Sequence, residues 1–211
     1  ILYKLKIKTM KLLKLTFTLL FVAVATVGFG QIGGTAHDFS GDAWNSGGEI
    51  CIVCHAPHAD ATTWNVTPGP LWNRAGESTE TFTMYVSNTN TMNATLTVPG
   101  AESLLCLSCH DGQTNLDAFG TETTGTTAIT SPGLLGIDLT HDHPIGFVYN
   151  TALATADGEL FDPATKTAVA DLLTTGGTVE CTSCHDVHGT GINSLLVSTN
   201  AASALCLICH D

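Results

Sequence analysis

Positive charge is scarce in this 211-residue chain, which has 7 Lys and Arg residues against 19 Asp and Glu residues. Five of the seven cations lie within the first 14 residues, so that Arg74 and Lys166 are the only two beyond residue 30. Residues 31–211 therefore carry a formal charge of −17. A surface of this sign repels nucleic acid and anionic membranes and favours cationic partners or bound cations. We therefore expect no nucleic-acid binding.

Long apolar runs are also missing, with one exception near the N-terminus. Met10 is the first methionine, and it is followed by a short charged segment and an apolar run over residues 15–29. This run is shorter than the roughly 20 residues that span a bilayer. Small residues near its end suit signal-peptide cleavage after Ala25 or, as we prefer, after Gly30. We expect residues 1–30 to be an upstream segment plus a secretory signal peptide, and the exported chain to have no membrane span.

Isolated cysteines are absent, because all eight fall in four Cys-x-x-Cys pairs and each pair is followed directly by a histidine. In a CxxCH motif the two thiols attach covalently to haem, and the histidine ligates the iron. Disulfides, zinc sites and thioredoxin-like pairs do not require a histidine after every pair. The motifs therefore predict four covalently attached haem c groups. The cysteines are Cys51 and Cys54, Cys106 and Cys109, Cys181 and Cys184, and Cys206 and Cys209, and the proximal histidines are His55, His110, His185 and His210.

Five further histidines are enough to give every iron a second axial ligand. Methionine could serve at most two irons, because only Met84 and Met92 follow the leader. We therefore predict bis-His irons throughout, with low reduction potentials. A six-coordinate iron has no open position for a substrate, so we expect electron transfer and no enzymatic activity. The five histidines are His37, His58, His141, His143 and His188.

An internal repeat selects among these five histidines. Each half of the chain contains an upstream histidine, a CxxCHxxH segment and an LCLxCHD segment. We therefore predict a first dihaem module over residues 31–140 and a second over residues 141–211. His37 and His58 are the distal ligands that the first half supplies.

In the second half, His143 and His188 are the predicted distal ligands. Pro144 imposes an extended backbone on His143, which leaves His141 as an exposed or supporting residue. His188, like His58, follows a proximal histidine by three residues and cannot reach the far face of its own haem. Each of these two trailing histidines should therefore ligate a neighbouring iron.

Regular periodicity is weak between the motifs, where Thr, Gly, Ser and Asn dominate. The fold class predicted is a multihaem cytochrome, mostly coil with a few short helices and minimal strand, wrapped around a haem stack. We expect helices over Ser103–Cys109 and Ala201–Cys209, and short strands over Thr81–Val86 and Thr95–Val98. Arg74 is a candidate partner for a haem propionate.

The order of these segments resembles the doubled-CxxCH multihaem cytochromes, and more narrowly the OmcE-like tetrahaem cytochromes that polymerise into extracellular filaments. The resemblance covers residues 37–211 and implies a bis-His tetrahaem subunit whose haems continue from one subunit to the next. It further implies that one iron takes its second histidine from the adjacent subunit, with His58 as the favoured donor and His37 as the alternative. The matching segments are His37-Asp-Phe-Ser, CIVCHAPH, Pro70-Leu-Trp-Asn-Arg74, LCLSCHDG, His143-Pro, CTSCHDVHG and LCLICH.

The function that follows is extracellular electron transfer by a secreted homopolymer at the cell surface, with redox proteins or minerals as donor and acceptor. A monomeric periplasmic shuttle with the same haems is the first alternative. A multihaem reductase is the second, and it would need a five-coordinate haem, against which the spare histidines argue.

Overall fold

The computed structural model describes residues 32–56, 71–74, 80–87, 92–122, 124–189 and 193–211. The expected signal peptide and His58 lie outside the described residues. Within those ranges most of the chain is coil, with four short α-helices, four 3-10 turns and one two-stranded sheet. None of the helices found there is long and apolar enough to cross a membrane.

The longest helix, α1, spans Ala101–His110 and carries the second CxxCH motif on its last turns. This confirms the helix expected over Ser103–Cys109. Leu107 anchors α1, because it is almost fully buried and packs with Phe82 and Leu139 in one of two core clusters. Burying apolar side chains of this kind is the main favourable contribution to folding.

The second core cluster lies in the C-terminal half and is built around the sheet. Strand β1, Phe147–Val148, pairs antiparallel with β2, Thr178–Val179. Helices α2, Thr151–Asp157, and α3, Thr167–Ala170, supply the side chains that pack against it. The cluster consists of Phe147, Tyr149, Leu153, Ala154, Val169 and Val179.

Three expected elements differ from the structure. Thr81–Val86 is not a strand, since its backbone pairing in the described ranges is one isolated bridge, between Thr83 and Asp138. Thr95–Val98 is not a strand either, because the backbone hydrogen bond found there joins the Thr97 N–H to the Gly146 carbonyl just before β1, without a ladder. The helix expected over Ala201–Cys209 is broken into a 3-10 turn, Ala201–Ser203, and a final helix, α4, Cys206–Cys209. The break follows from the positive φ angles of two residues in that turn.

Candidate haem sites

Each CxxCH motif sits on a helical turn. The second motif ends α1, and in the other three the histidine N–H donates to the carbonyl of the first cysteine, at 2.8 Å for His55 and 3.0 Å for His185 and His210. Residues three and four apart lie on one face of such a turn. Two thiols and one imidazole therefore project to the same side, as covalent attachment to one haem edge and ligation of its iron require.

The cysteines are all free thiols, which agrees with haem attachment and not with disulfides. Burial raises the pKa of the Cys54 thiol to about 11, although the nearby Arg74 cation opposes the shift. Burial also raises the pKa values of Cys109, Cys184 and Cys209. These thiols are protonated at neutral pH in the chain before attachment.

Neighbouring motifs approach one another in chain order. The Cys181 N–H donates to the Ser103 hydroxyl of α1 at 3.0 Å, and the interaction between the Cys106 and Cys181 thiols raises the pKa of Cys106 and lowers that of Cys181. This contact joins the second motif to the third. Thiols of the first and second motifs, and of the third and fourth, also influence each other electrostatically, as secondary contributions beside burial. The second and third motifs therefore lie side by side.

Backbone carbonyls fix the tautomer of two proximal histidines and of one predicted distal histidine. The Nδ1 atom of His110 lies 2.6 Å from the Gly133 carbonyl, and that of His185 lies 2.8 Å from the Ser194 carbonyl. His143 contacts the Pro144 carbonyl in the same way, at 2.9 Å. A carbonyl oxygen only accepts, so Nδ1 carries the proton and Nε2 keeps a lone pair for a metal. This is the usual arrangement of a metal-ligating histidine.

Two predicted distal histidines face proximal histidines. The ring centroids of His37 and His110 are 5.9 Å apart, and those of His55 and His188 are 6.0 Å apart. Metal–imidazole bonds of about 2.0–2.1 Å on both sides of one ion place the two ring centroids roughly 6 Å apart. Both pairs therefore have the separation of a bis-His site, and His188 reaches a motif in the other half of the chain.

His37 is also in the protonation state that a metal requires. Burial lowers its pKa, and the neighbouring His110 and His185 lower it further. The ring is therefore neutral at physiological pH, and a neutral imidazole is the form that ligates a metal. Its Nδ1 atom is buried and has no hydrogen-bond partner.

The other predicted distal ligands are not brought to an iron position by the described residues. His143 and His141 are exposed. The two histidine ring pairs in the described ranges contain the proximal histidines of the first and second motifs, and His37, although near His185, pairs with His110. His58 lies outside those ranges. The partners of the third and fourth motifs therefore stay predictions.

A buried carboxylate that the sequence reasoning missed locks the third motif against α1. Glu180 is 3% exposed, and its Oε2 atom accepts from the Ser103 hydroxyl at 2.5 Å and from the Gly100 N–H at 3.0 Å. The same Ser103 oxygen accepts from the Cys181 N–H at 3.0 Å. An acidic residue directly before a CxxC pair was the signal that could have pointed to it.

The first motif is held by the short segment Leu71–Arg74. Ala56 N–H donates to the Leu71 carbonyl at 2.8 Å, and Asn73 N–H donates to the Cys54 carbonyl at 2.9 Å. The Arg74 guanidinium, 2% exposed, donates to the carbonyls of Asn115 at 2.6 Å and Leu116 at 2.9 Å. Its Nε atom is buried without a partner, so one donor stays available to a propionate, while the other two bonds hold the loop after the second motif.

Residues 174–211, which contain the third and fourth motifs, match the family described as the doubled CXXCH motif. No curated protein matches the chain. Doubled CxxCH motifs indicate covalently bound haem c. Together with the geometry of the turns, this match supports a multihaem c-type cytochrome-like protein that functions in electron transfer.

Proposed function

We propose that this chain is a tetrahaem c-type cytochrome with bis-His irons, and that it carries electrons outside the cell as the repeating subunit of a conductive filament. The observation that carries the proposal is the pair of histidine contacts, His37 with His110 and His55 with His188, at 5.9 and 6.0 Å. Each joins the proximal histidine of one motif to a histidine from elsewhere in the chain. Haem supplies a one-electron iron couple when bound, and these residues would saturate that iron.

The contacts between motifs support a continuous path for electrons. The hydrogen bond from the Cys181 N–H to Ser103, on the helix that carries Cys106, brings two attachment points together. The contact between His188 and His55 then ties the third motif to the first. Attachment points this close would leave little polypeptide between neighbouring porphyrins.

The remaining histidines support a ligand shared between subunits. His37 faces His110 of its own chain, so of the two donors considered it is the one already engaged. His58 is then the proposed donor to a neighbouring subunit. His143 is the proposed ligand of one of the two irons of the third and fourth motifs, and His141 stays a supporting residue.

Haem content tests the first part of the proposal. The full chain is produced in a bacterium that matures c-type cytochromes, and its covalent haem is counted by the pyridine haemochrome assay and by intact mass. We expect four haems per chain, and three in a Cys51→Ala/Cys54→Ala variant. Two haems per chain in the unmodified protein would contradict the tetrahaem proposal.

Electron microscopy of secreted material tests the filament. We expect filaments that stain for haem, and loss of assembly in His58→Ala but not in the control His141→Ala. Monodisperse small particles confined to the periplasm would instead support a shuttle. A His58→Ala protein with normal filaments would refute the proposed inter-subunit ligand.

Carbon monoxide tests whether any iron is open. The chain is proposed not to be an enzyme, because saturated irons leave no position for substrate. The spectrum of the reduced protein should therefore not change when carbon monoxide is added. A change at one haem would favour the reductase alternative, since that activity needs a five-coordinate iron.

A further inference from the structure

Two side chains of opposite charge are buried beside different CxxCH motifs. Arg74 is 2% exposed and Glu180 is 3% exposed. Charged side chains are rarely buried this fully, and their field is screened far less than that of a surface charge. These two residues therefore differ from the many acidic groups on the surface.

Arg74 belongs to the first motif by its connections. Its neighbour Asn73 donates to the Cys54 carbonyl at 2.9 Å, and Trp72 forms a bridge with His55 and an edge contact with its ring at 5.8 Å. The two hydrogen bonds of Arg74 end on backbone carbonyls, which carry no net charge.

Glu180 belongs to the third motif in the same way. It immediately precedes Cys181, and its N–H donates to the Ser183 hydroxyl at 3.0 Å. Both donors to its carboxylate, Ser103 and Gly100, are neutral groups.

Reduction adds one negative charge to a haem, so a buried cation favours the reduced form and a buried anion favours the oxidised form. Asp111, the third buried charge in the described ranges, directly follows the second motif and is of the sign opposite to Arg74. The effect of Arg74 is therefore clearest at the first motif. Lys166, the other cation beyond residue 30, is partly exposed and lies over the Phe161 ring near the fourth motif.

We propose that Arg74 gives the haem of the first motif the highest reduction potential of the four. Glu180 gives the haem of the third motif the lowest. The inference rests on the proposed function. His188, which follows the third motif, faces His55 of the first, so the two ends of the range are neighbours. An electron leaving ferrous iron at the third motif, which becomes ferric, would reduce ferric iron at the first, and the charges balance without a further reactant.

Four charge-removing variants of the full holoprotein test this inference by spectroelectrochemical titration, which resolves the highest and lowest midpoint potentials. Arg74→Gln should lower the highest potential, and Glu180→Gln should raise the lowest one, so that each variant narrows the range. We expect at least a tenfold change in the ratio of reduced to oxidised haem at fixed applied potential, which is about 59 mV for one electron. Lys166→Gln removes a partly exposed cation and Glu159→Gln an exposed anion, and each should change this ratio much less.

Arg74→Lys separates the effect of charge from that of hydrogen bonding. It keeps the positive charge but loses the paired hydrogen bonds to the Asn115 and Leu116 carbonyls. The highest potential should stay near that of the parent protein in Arg74→Lys. The inference is overturned if Arg74→Gln and Lys166→Gln shift potentials equally, or if Glu180→Gln leaves the lowest potential unchanged. If Arg74→Gln fails to take up haem, the change in the lowest potential of Glu180→Gln alone decides whether the inference holds. A parent protein without four low-spin haems would instead contradict the proposed function.

Discussion

Replacing one buried hydroxyl, that of Ser103, should destabilise the contact between the second and third motifs. Ser103 is fully buried, and its hydroxyl donates to Glu180 at 2.5 Å while accepting from the Cys181 N–H at 3.0 Å. In Ser103→Ala the carboxylate loses a donor and the N–H loses its acceptor. A hydrogen bond to a charged group contributes about 1.5–3 kcal/mol, and a buried donor left unpaired costs about 1–3 kcal/mol. We therefore expect the free energy of unfolding to fall by about 3–5 kcal/mol.

Ser108→Ala is the matched control, because it removes the same hydroxyl from the same helix. Ser108 is also buried, at 3% exposure, but its hydroxyl donates to the Leu105 carbonyl one turn back, at 2.7 Å, and not to another motif. Local bonds of this kind contribute little to helix stability, so the expected cost is below about 1 kcal/mol. The difference between the two variants isolates the link between α1 and the third motif.

Guanidinium titration of the holoprotein, followed by tryptophan fluorescence and by the Soret band, measures both variants. For a slope of about 4 kcal/mol per molar, a loss of 3–5 kcal/mol moves the midpoint by roughly 1 M. Ser103→Ala should show this shift and Ser108→Ala should not. Equal midpoints for the two variants would refute the reasoning, because the bridging contacts of Ser103 would then contribute nothing beyond a local hydroxyl.

Three further predictions concern other contacts of the described chain. His37→Ala should open the iron of the second motif, so that the reduced protein binds carbon monoxide at one haem, whereas His141→Ala should bind none; a His37→Ala protein that stays silent would remove His37 as a ligand. Gly100→Ala should destabilise the chain in guanidinium titration, because a Cβ at residue 100 would lie 2.5 Å from Oε1 of Glu180; an unchanged midpoint would mean that the carboxylate can move at no cost. Hydrogen bonds, foremost from the Thr124 side chain, lower the pKa of Glu122 to about 2 from its usual value of 4.5. The stability that Glu122 adds should therefore be fully present above about pH 4.5 and be lost as the pH falls towards 2, and amide exchange in the loop around residues 122–125 should show this loss in the parent protein but not in Glu122→Gln.

The sequence predicted the helix that carries the second motif because its signal is local. Apolar residues recur there at helical spacing before a motif that itself needs a helical turn. A comparable local signal at α2 was missed, although Asn150 caps the helix by accepting from Leu153 N–H at 3.0 Å and Gly158 ends it with a φ of 81°. Both are residue types that favour those positions.

The sheet and the histidine pairs could not be predicted from the sequence, because they depend on contacts between distant residues. Strands of two residues each, such as β1 and β2, are too short to show an alternating pattern. Counting histidines identifies candidate ligands, but it cannot show that His188 faces His55 and not a ring of its own half. Burial of Arg74 was equally hidden, since an arginine in a loop is ordinarily exposed.

The contacts between the two sequence repeats explain why the repeats need not act as separate units. His188 of the second half faces His55 of the first, and Glu180 of the second half holds the helix of the first through Ser103. If His188 ligates the iron of the first motif, as proposed, that iron is fully coordinated only when both halves are folded. Saturation of the irons then depends on the whole subunit, so a partly folded chain would expose an open iron. The proposed saturation of all four irons is therefore a property of the whole subunit and not of either dihaem module alone.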